Sequence, residues 1–355
     1  MIKVLIVDDS ATVRTMFADL FEREDDFEVV GCAEDGYSAL RMVRDLKPDV
    51  VTMDVNLPDC DGFRVTRMIM EETPVPIVIV SAVYSASDAE IGFRLIDTGA
   101  LAFHDKPGLK NDNFEELMQE IILSARLMSE VKVVKRKSRF RSGREMNSPF
   151  PAAREFSPPS FPVKDKVICI GASTGGPQAI KEILMSLPHE FPAPILIVQH
   201  MSSGFTEGMV SWLKNNTGHD VRLAAHGDFL RPGVVYFAPE GFHTELSADK
   251  RVLLNDAPNV NEIRPSVSVL FHSAARNLGS SVVGVLLTGM GRDGADGLLE
   301  IKRRGGYTIA QDKDSSIVFG MPGEAVKLGA ALAVLPIGNI GRHLCKLFLE
   351  VSEDK

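Results

Sequence analysis

A serine in a glycine-rich turn stands directly after a short apolar run. Residues 167–170 form the run, which is long enough for one buried parallel strand, and Ser173 lies between Gly171 and Gly175 in the pattern G-x-S-x-G. Pro177 fits the first position of a following helix. This order places Ser173 at the carboxyl edge of a sheet. Two chemistries use that geometry, a nucleophilic serine or a phosphate cradle of backbone N–H groups, and the turn by itself leaves both open.

A histidine and an aspartate stand at the ends of two later apolar runs. The run 195–198 ends in Gln199 and His200, and the run 281–288 leads into a glycine-rich turn that contains Asp293. A dinucleotide-binding fold carries an acid at the end of its second strand to hold the ribose hydroxyls. Here that place holds Gln199 and His200, which argues against a nucleotide cradle in the serine turn.

Ser173, His200 and Asp293 together supply the groups of a serine hydrolase. They are a hydroxyl nucleophile, an imidazole base and a carboxylate that fixes the imidazole tautomer, at corresponding ends of three strands. Backbone N–H groups in the glycine-rich turns, such as that of Met290, are candidates for an oxyanion hole. The sequence therefore favours hydrolysis of an acyl substrate.

Other titratable residues compete for these roles. We predict His226 and His243 to be loop residues, at the surface or in contact with substrate, and His272 to be a core histidine in an apolar helical stretch. Asp296 is the rival carboxylate, but a glycine and an apolar run follow it, which favours a helix cap.

A second set of polar residues ends the strands predicted near the amino terminus. Asp8 and Asp9 follow the first strand, Asp54 the third, Ser81 the fourth and Lys106 the fifth, so all should meet at one sheet edge. Three carboxylates repel one another unless a hard cation binds, and oxygen ligands suit Mg²⁺. A carboxylate beside Mg²⁺ can attack a phosphoryl group while a lysine neutralises its oxygens and a hydroxyl hydrogen-bonds one of them.

Apolar runs and helical periods alternate along the chain. This alternation predicts an α/β protein with two doubly wound parallel-sheet domains. In the first domain the predicted strands are 3–7, 28–32, 49–53, 76–80 and 100–103, and the predicted helices are 11–23, 37–46, 63–71, 86–97 and 113–128. In the second domain, helices at 178–186 and 298–304 follow the two glycine-rich turns.

The length of 355 residues exceeds what one core usually supports, so we predict two domains, 1–128 and 166–355, joined by a linker over 129–165. The linker has a basic run followed by prolines and serines, a composition that stays extended. It is interpreted as an interdomain tether. A basic arm that contacts nucleic acid or anionic lipid is the alternative.

Charge and composition narrow the class of protein. A net charge of −9 argues against a chain that binds nucleic acid throughout. No apolar run reaches the roughly 20 residues of a membrane-spanning helix, and the amino terminus lacks the layout of a signal peptide. The four cysteines show no C-x-x-C spacing, which favours reduced thiols and the cytoplasm.

Residues 1–128 resemble the receiver domain of two-component response regulators, which has a flavodoxin-like fold. The resemblance implies that Asp54 accepts phosphate from a histidine kinase. The implied Mg²⁺ ligands are Asp9, Asp54 and the Asn56 carbonyl, with Asp8 assisting through water. The implied switch residues are Ser81, Phe103 and Lys106, and the Lys106–Pro107 peptide bond looks like the cis peptide of that family.

Most of residues 166–340 is similar to the Rossmann-like catalytic domain of the chemotaxis protein-glutamate methylesterases, the CheB family. The segments that carry this similarity are GASTGGP, QHM, GVVYFAPEGFH, NEIRPSVSVLFHSAA, LTGMGRDGADG and VFGMPGEAV. The similarity implies hydrolysis of γ-glutamyl methyl esters on chemoreceptors, with glutamine deamidation, and no cofactor in this domain. By position Ser173 matches the nucleophile, His200 the base and Asp293 the orienting acid, while Met290 matches an oxyanion contact and Thr174 lies beside the nucleophile.

The two resemblances together predict an esterase that phosphorylation controls. The unphosphorylated receiver is expected to pack over the Ser173 cleft, and phosphate on Asp54 to favour an open arrangement. The expected partners are a histidine kinase and chemoreceptors, for a monomer that works in the cytoplasm at receptor clusters. Two alternatives are a response regulator whose output domain binds nucleic acid and an α/β domain that binds nucleotide without hydrolysis.

Overall fold

The computed structural model of the chain describes residues 1–58, 62–81, 98–106, 114–131, 133, 166–201, 204–260 and 263–349. The predicted helix at 86–97, the Lys106–Pro107 peptide bond and most of the predicted linker lie outside the described residues. None of the helices formed by these residues combines the length and the apolar composition of a transmembrane segment.

The amino-terminal part of the chain forms a five-stranded parallel sheet in the order β2-β1-β3-β4-β5. This order is that of a flavodoxin-like, doubly wound fold, as predicted. The strands are β1 Ile2–Val7, β2 Phe27–Ala33, β3 Val50–Met53, β4 Ile77–Ser81 and β5 Ala102–Asp105. The described helices are α1 Ala11–Phe21, α2 Gly36–Leu46, α3 Gly62–Glu72 and α4 Phe114–Ser129.

Every residue of β3 and β4 is buried, so both faces of the sheet are covered at its centre.

Local sequence fixes where the first strand ends. The Ser10 side chain accepts a hydrogen bond from the Val13 N–H and caps α1, and Asp8 accepts one from the Ser10 N–H at 2.9 Å. The chain therefore turns from strand to helix directly after Asp8 and Asp9, and both remain at the carboxyl edge.

The carboxyl-terminal part forms a seven-stranded parallel sheet in the order β14-β13-β12-β6-β7-β9-β8, with a separate antiparallel pair β10-β11. The strands are β6 Val167–Ala172, β7 Ile195–Gln199, β8 Asp220–Leu223, β9 Val234–Phe237, β10 His243–Leu246, β11 Val252–Asn255, β12 Val282–Leu286, β13 Tyr307–Gln311 and β14 Ala333–Leu335. The helices are α5 Gly176–Met185, α6 Thr206–Thr217, α7 Val267–Leu278, α8 Ala295–Arg303, α9 Met321–Lys327 and α10 Ile337–Leu349.

The order of this second sheet confirms the predicted Rossmann-like, doubly wound fold. The chain leaves β6 towards β7 on one side, and β12 towards β13 on the other, so the direction of winding reverses between β6 and β12. Helices α5, α6 and α10 pack in one apolar cluster and α7, α8 and α9 in another. Ligands of such sheets lie at the carboxyl ends of the strands beside the reversal point.

The serine turn is shorter than the sequence predicts. Gly171 and Ala172 are strand residues, because the parallel ladder continues to the pair Ala172 and Gln199. Helix α5 begins at Gly176, one residue before the predicted start at Pro177. A Cβ at Gly171 would lie 2.2 Å from Val267 Cγ1, so α7 packs directly against the strand there. Ser173 is therefore the first residue after a fully buried strand.

Candidate active site and candidate phosphorylation site

The ends of β6, β7 and the β12–α8 turn bring the predicted catalytic residues to one edge of the second sheet. The Ser173 N–H donates to the Thr288 carbonyl at 3.0 Å, and the His200 N–H donates to the Ala172 carbonyl at 3.0 Å. His200 Nε2 lies 2.9 Å from Asp293 Oδ2. The histidine and the aspartate are thus paired, and the main chain of the serine lies between their strands.

The amino terminus of α7 binds the Asp293 carboxylate. Asp293 accepts hydrogen bonds from the Val267 N–H at 2.6 Å, the Ser268 N–H at 3.1 Å and the Ser266 hydroxyl at 2.8 Å. Burial alone would raise the pKa of Asp293, but the hydrogen bond and charge of His200, with the two serines, lower it to about 2. Asp293 is therefore an anion at neutral pH although it is buried.

The pairing with Asp293 selects the tautomer of His200. A carboxylate only accepts hydrogen bonds, so Nε2 carries the proton and Nδ1 is left as the acceptor. Neither Nδ1 nor Ser173 Oγ has a hydrogen-bond partner in the described part of the chain, and Ser173 is half-buried. The structure does not join serine and histidine by a hydrogen bond. Such bonds commonly form only when substrate is present.

Two turns beside Ser173 leave backbone donors free. Within residues 166–201, 204–260 and 263–349, the N–H groups of Thr174 and Met290 have no hydrogen-bond partner. A Cβ at Gly289 would lie 2.6 Å from Ser173 Cβ, so the turn that carries Met290 touches the serine. The arrangement has the donors that an oxyanion hole requires.

Three predictions about competing residues are wrong. His243 is buried in β10, where Nδ1 accepts from the Ser266 N–H at 3.2 Å and Nε2 lies 3.1 Å from the Pro258 carbonyl. His272 is partly exposed and pairs with Asp296 at 3.2 Å, because that face of α7 meets α8 and not the core. Asp296 is a helix residue, since Gly294 caps α8. His226 is exposed, as predicted.

The pair of His272 and Asp296 is a stabilising surface contact. The hydrogen bond to Asp296 raises the pKa of His272 and, with bonds from Ser268 and the Gly297 N–H, lowers the pKa of Asp296. No hydrogen bond joins either residue directly to His200 or Asp293, but Ser268 links the two acids, because its N–H donates to Asp293 and its hydroxyl donates to Asp296. The second acid–imidazole pair is therefore a neighbour of the candidate catalytic one, with its own imidazole.

The edge of the first sheet gathers the predicted acidic residues. Carboxylate oxygens of Asp8, Asp9 and Asp54 lie within 4.8 Å of one another. Lys106 Nζ is 2.6 Å from both Asp8 Oδ2 and Asp54 Oδ2, and the Ser81 hydroxyl donates to Asp54 Oδ1 at 3.0 Å. The strand ends in the sequence predict all of these residues at this edge of the sheet, and the structure places them there.

Burial and the lysine set the protonation of this pocket. Burial raises the pKa of Asp8 although Lys106 opposes the shift. Burial would lower the pKa of Lys106, but its hydrogen bonds to Asp54 and Asp8 outweigh that effect and raise it. Three carboxylate groups with one lysine leave an excess of negative charge and several oxygen donors, which fits a hard cation such as Mg²⁺. Asn56 lies at this pocket, where its N–H donates to Asp54 Oδ1 at 3.3 Å.

The two domains touch beside both sites. The Phe103 ring on β5 lies 4.7 Å from the Phe205 ring, which precedes α6 of the second domain. Ile317 and Val318 of the second domain pack against an apolar cluster of the first. A Cβ at Gly175 would lie 2.8 Å from Ile317 Cδ1, so Ile317 also lies against the serine turn.

A receiver-like sheet with an acidic pocket, joined to a Rossmann-like α/β domain, defines the class of protein as a response regulator with an enzymatic output domain. The response regulator receiver domain model matches residues 4–120, and the CheB methylesterase model matches residues 168–344. The chain belongs to the CheB family, because relatives 46% and 47% identical to it match 98% of its length. Within that family, the protein-glutamate methylesterase/protein-glutamine glutaminase 2 of Methanospirillum hungatei JF-1 is 47% identical over 98% of both chains.

Two further comparisons agree with this assignment. The protein-glutamate methylesterase/protein-glutamine glutaminase 1 of Syntrophus aciditrophicus is 46% identical over 98% of each chain. The crystal structure of the Thermotoga maritima CheB methylesterase catalytic domain is 40% identical, covers 52% of this chain and 100% of its own, and has a TM-score of 0.51.

Proposed function

We propose that this chain is a phosphorylation-activated protein-glutamate methylesterase and protein-glutamine deamidase that acts on chemoreceptors for adaptation in chemotaxis. The observation that carries the catalytic assignment is the 2.9 Å pair of His200 and Asp293 at the sheet edge where Ser173 lies. Residues 1–128 would be the receiver, 129–165 the linker and 166–355 the catalytic domain.

Ser173 is the proposed nucleophile. Its Oγ forms a bond to the γ-carbonyl carbon of the glutamyl ester, and its proton passes to His200 Nδ1. The negative charge on the carbonyl oxygen is stabilised by N–H groups such as those of Thr174 and Met290. Asp293 holds Nε2–H and stabilises the imidazolium that forms.

The tetrahedral intermediate formed by this attack then breaks down in two stages to product and free enzyme. The bond between the carbonyl carbon and the methoxy oxygen breaks, His200 gives its proton to that oxygen, and methanol leaves an acyl-enzyme on Ser173. Water attacks the acyl carbon, its proton passes to His200, and the Ser173 oxygen is released with that proton. A receptor glutamine follows the same steps with ammonia as the leaving group, so both activities give a glutamate side chain.

Asp54 is the proposed phospho-acceptor of the receiver. One of its oxygens attacks the phosphorus of a phosphohistidine on a histidine kinase, the P–N bond breaks, and an acyl phosphate forms. Lys106 neutralises the phosphoryl oxygens and the Ser81 hydroxyl hydrogen-bonds one of them. Mg²⁺, held by Asp9, Asp54 and the Asn56 carbonyl with Asp8 assisting through water, would supply further neutralisation of that charge.

Control by phosphorylation is proposed to act through the contact between the domains. Phe103 and Ile317 connect the receiver to the residues around His200 and Ser173, which supports a closed state that excludes the receptor. If the closed and open states are populated in a ratio of 99 to 1, a stabilisation of the open state by about 3 kcal/mol relative to the closed state makes the two populations equal. That is within the range of the new hydrogen bonds and charge contacts that one phosphoryl group makes.

The proposed setting is the cytoplasm at receptor clusters, with a monomer that takes phosphate from the kinase and uses receptors as substrate. The proposal gives the chain no nucleic-acid partner, since its net charge is −9.

Methanol release from methylated receptor cytoplasmic fragments tests the proposal. The full chain is assayed with and without a small-molecule phosphodonor and Mg²⁺, beside Ser173→Ala and Asp54→Ala. We expect donor-stimulated release that Ser173→Ala abolishes and that Asp54→Ala leaves at the unstimulated rate. Release that persists in Ser173→Ala would overturn the catalytic assignment. A rate of release that is the same with and without the phosphodonor would overturn the proposed closed state.

A further inference from the structure

The amide of Gln199 bridges the main chains of the proposed nucleophile and the proposed base. Its Nε2 donates to the Ser173 carbonyl at 2.8 Å and to the His200 carbonyl at 2.7 Å. The side chain is 4% exposed, so these bonds lie in a low-dielectric interior. One amide group therefore joins the two strand ends that carry the reacting side chains.

The chemistry of the neighbours fixes the orientation of this amide. Both partners are carbonyl oxygens, which only accept, so the NH₂ group must face them and the Oε1 atom must face away. The Ser173 carbonyl also accepts from the Gly176 N–H at 2.8 Å, which ties the same atom to the start of α5. A side chain without two donors at this place leaves a buried carbonyl without one of its partners.

The space beside α5 is shaped around the same side chain. A Cβ at Gly176 would lie 1.9 Å from Gln199 Oε1, closer than any real Cβ contact, and 2.8 Å from Ala172 Cβ. Oε1 of Gln199 is buried and has no hydrogen-bond partner among the described residues. Helix α5 therefore approaches Gln199 closely without donating a hydrogen bond to this oxygen. The glycine therefore provides the room in which the glutamine amide lies.

We infer that Gln199 is a positioning residue for hydrolysis, which holds Ser173 and His200 in mutual register, and that Gly176 is required as the space for its amide. This inference rests on the proposed function of Ser173 and His200. Gln199 touches neither substrate nor reacting atoms. It acts through the backbone, since a displacement of about 1 Å between nucleophile and base costs about 100-fold in rate.

Two substitutions of Gln199 in the full chain test this inference by methanol release from methylated receptor fragments, with phosphodonor and Mg²⁺ present. Gln199→Met keeps the length of the side chain and removes both donors, and we expect kcat to fall about 100-fold with KM unchanged. Gln199→Glu keeps the shape but turns a carboxylate towards two carbonyl oxygens. A protonated carboxyl can donate one bond, so the ratio of its kcat to that of the wild type should rise as pH falls.

Gly176→Ala provides an independent approach to the same contact. It should lower kcat in the wild-type background, because the new methyl group displaces the amide, but should cost much less in Gln199→Ala, where only the approach to Ala172 Cβ remains. Ser273→Ala is the matched control, because Ser273 is a buried hydroxyl with two hydrogen bonds of its own in the same domain. We expect it to lower the melting temperature and leave kcat unchanged.

The outcomes separate the two proposals. A wild-type kcat in Gln199→Met, or an equal loss of kcat in Ser273→Ala at equal loss of stability, would overturn the positioning role while Ser173→Ala remains inactive. Losses in Gly176→Ala and Gln199→Ala that add independently would also overturn it. Release that persists in Ser173→Ala would overturn the proposed nucleophile, and the positioning role with it.

Discussion

The ring of Phe103 meets the ring of Phe205 edge to face, with centroids 4.7 Å apart and planes at 65°. Phe103 lies on β5, whose last residue Asp105 pairs with Ser81, and Ser81 donates to Asp54. Phe205 is the N-cap residue of α6, the helix that follows His200 in the chain. A continuous set of contacts therefore runs from the proposed phosphorylation site to the segment beside the proposed base.

Removal of this contact should raise the activity of the unphosphorylated protein. An aromatic pair contributes about 0.5–1.5 kcal/mol beyond the area that it buries. We expect Phe103→Ala to raise unstimulated methanol release about three- to tenfold and to reduce the ratio of stimulated to unstimulated release.

Phe242→Ala is the control for this experiment, because Phe242 is an exposed phenylalanine at the start of the β10–β11 pair. It should leave both rates unchanged. Unstimulated release in Phe103→Ala at the wild-type rate would show that the ring contact does not hold the closed state.

Removal of Mg²⁺ should abolish stimulation by the phosphodonor but leave unstimulated release unchanged. The acidic pocket holds three carboxylate groups beside one lysine, whereas the pair of His200 and Asp293 contains no such cluster. We expect EDTA to make the wild type behave as Asp54→Asn does, and to change nothing further in that variant. A loss of unstimulated release in EDTA would place a metal requirement in the catalytic domain.

The ends of the strands could be predicted from the sequence, because an apolar run followed by polar or glycine residues is a local signal. They located Asp54, Lys106, Ser173 and His200 at sheet edges, and the alternation of strands and helices predicted parallel, doubly wound sheets but not the order of their strands. The partners of Asp293 were not predictable in this way. They come from the amino terminus of α7, a contact between segments that are distant along the chain.

The burial and the hydrogen-bond partners of individual histidines could not be predicted from the sequence either. The sequence around His243 predicts a loop, but His243 is the first residue of β10, and its ring is hydrogen-bonded by the Ser266 N–H and the Pro258 carbonyl. His272 lies in an apolar stretch, yet it is on the one face of α7 that Asp296 of α8 approaches. In the sequence, Gln199 is informative only because it stands where a dinucleotide-binding fold carries an acid, since nothing local shows which carbonyl groups an amide will meet.

Replacement of Asp293 by asparagine should lower kcat far more than it changes KM. An asparagine can present its NH₂ group to His200, which favours the wrong tautomer and leaves Nδ1 protonated. We expect kcat for methanol release to fall about 10³- to 10⁴-fold. Asp296→Asn is the matched control, because it changes the neighbouring pair with His272 and should leave kcat unchanged. Equal losses in the two variants would contradict the assignment of Asp293.

Asp293 should also contribute to stability in a pH-dependent manner. Its pKa in the folded protein is about 2, below the ordinary value of 3.8, so its ionisation stabilises the fold above pH 4 and that contribution is lost as pH falls towards 2. The shift corresponds to about 2 kcal/mol in the free energy of unfolding. Asparagine resembles the protonated acid, so the difference in stability between wild type and Asp293→Asn should shrink over this window. Urea unfolding followed by fluorescence measures it, since Trp212, the single tryptophan, is buried in the catalytic domain. A difference that stays constant from pH 6 to pH 2 would show that the carboxylate is not stabilised by its partners.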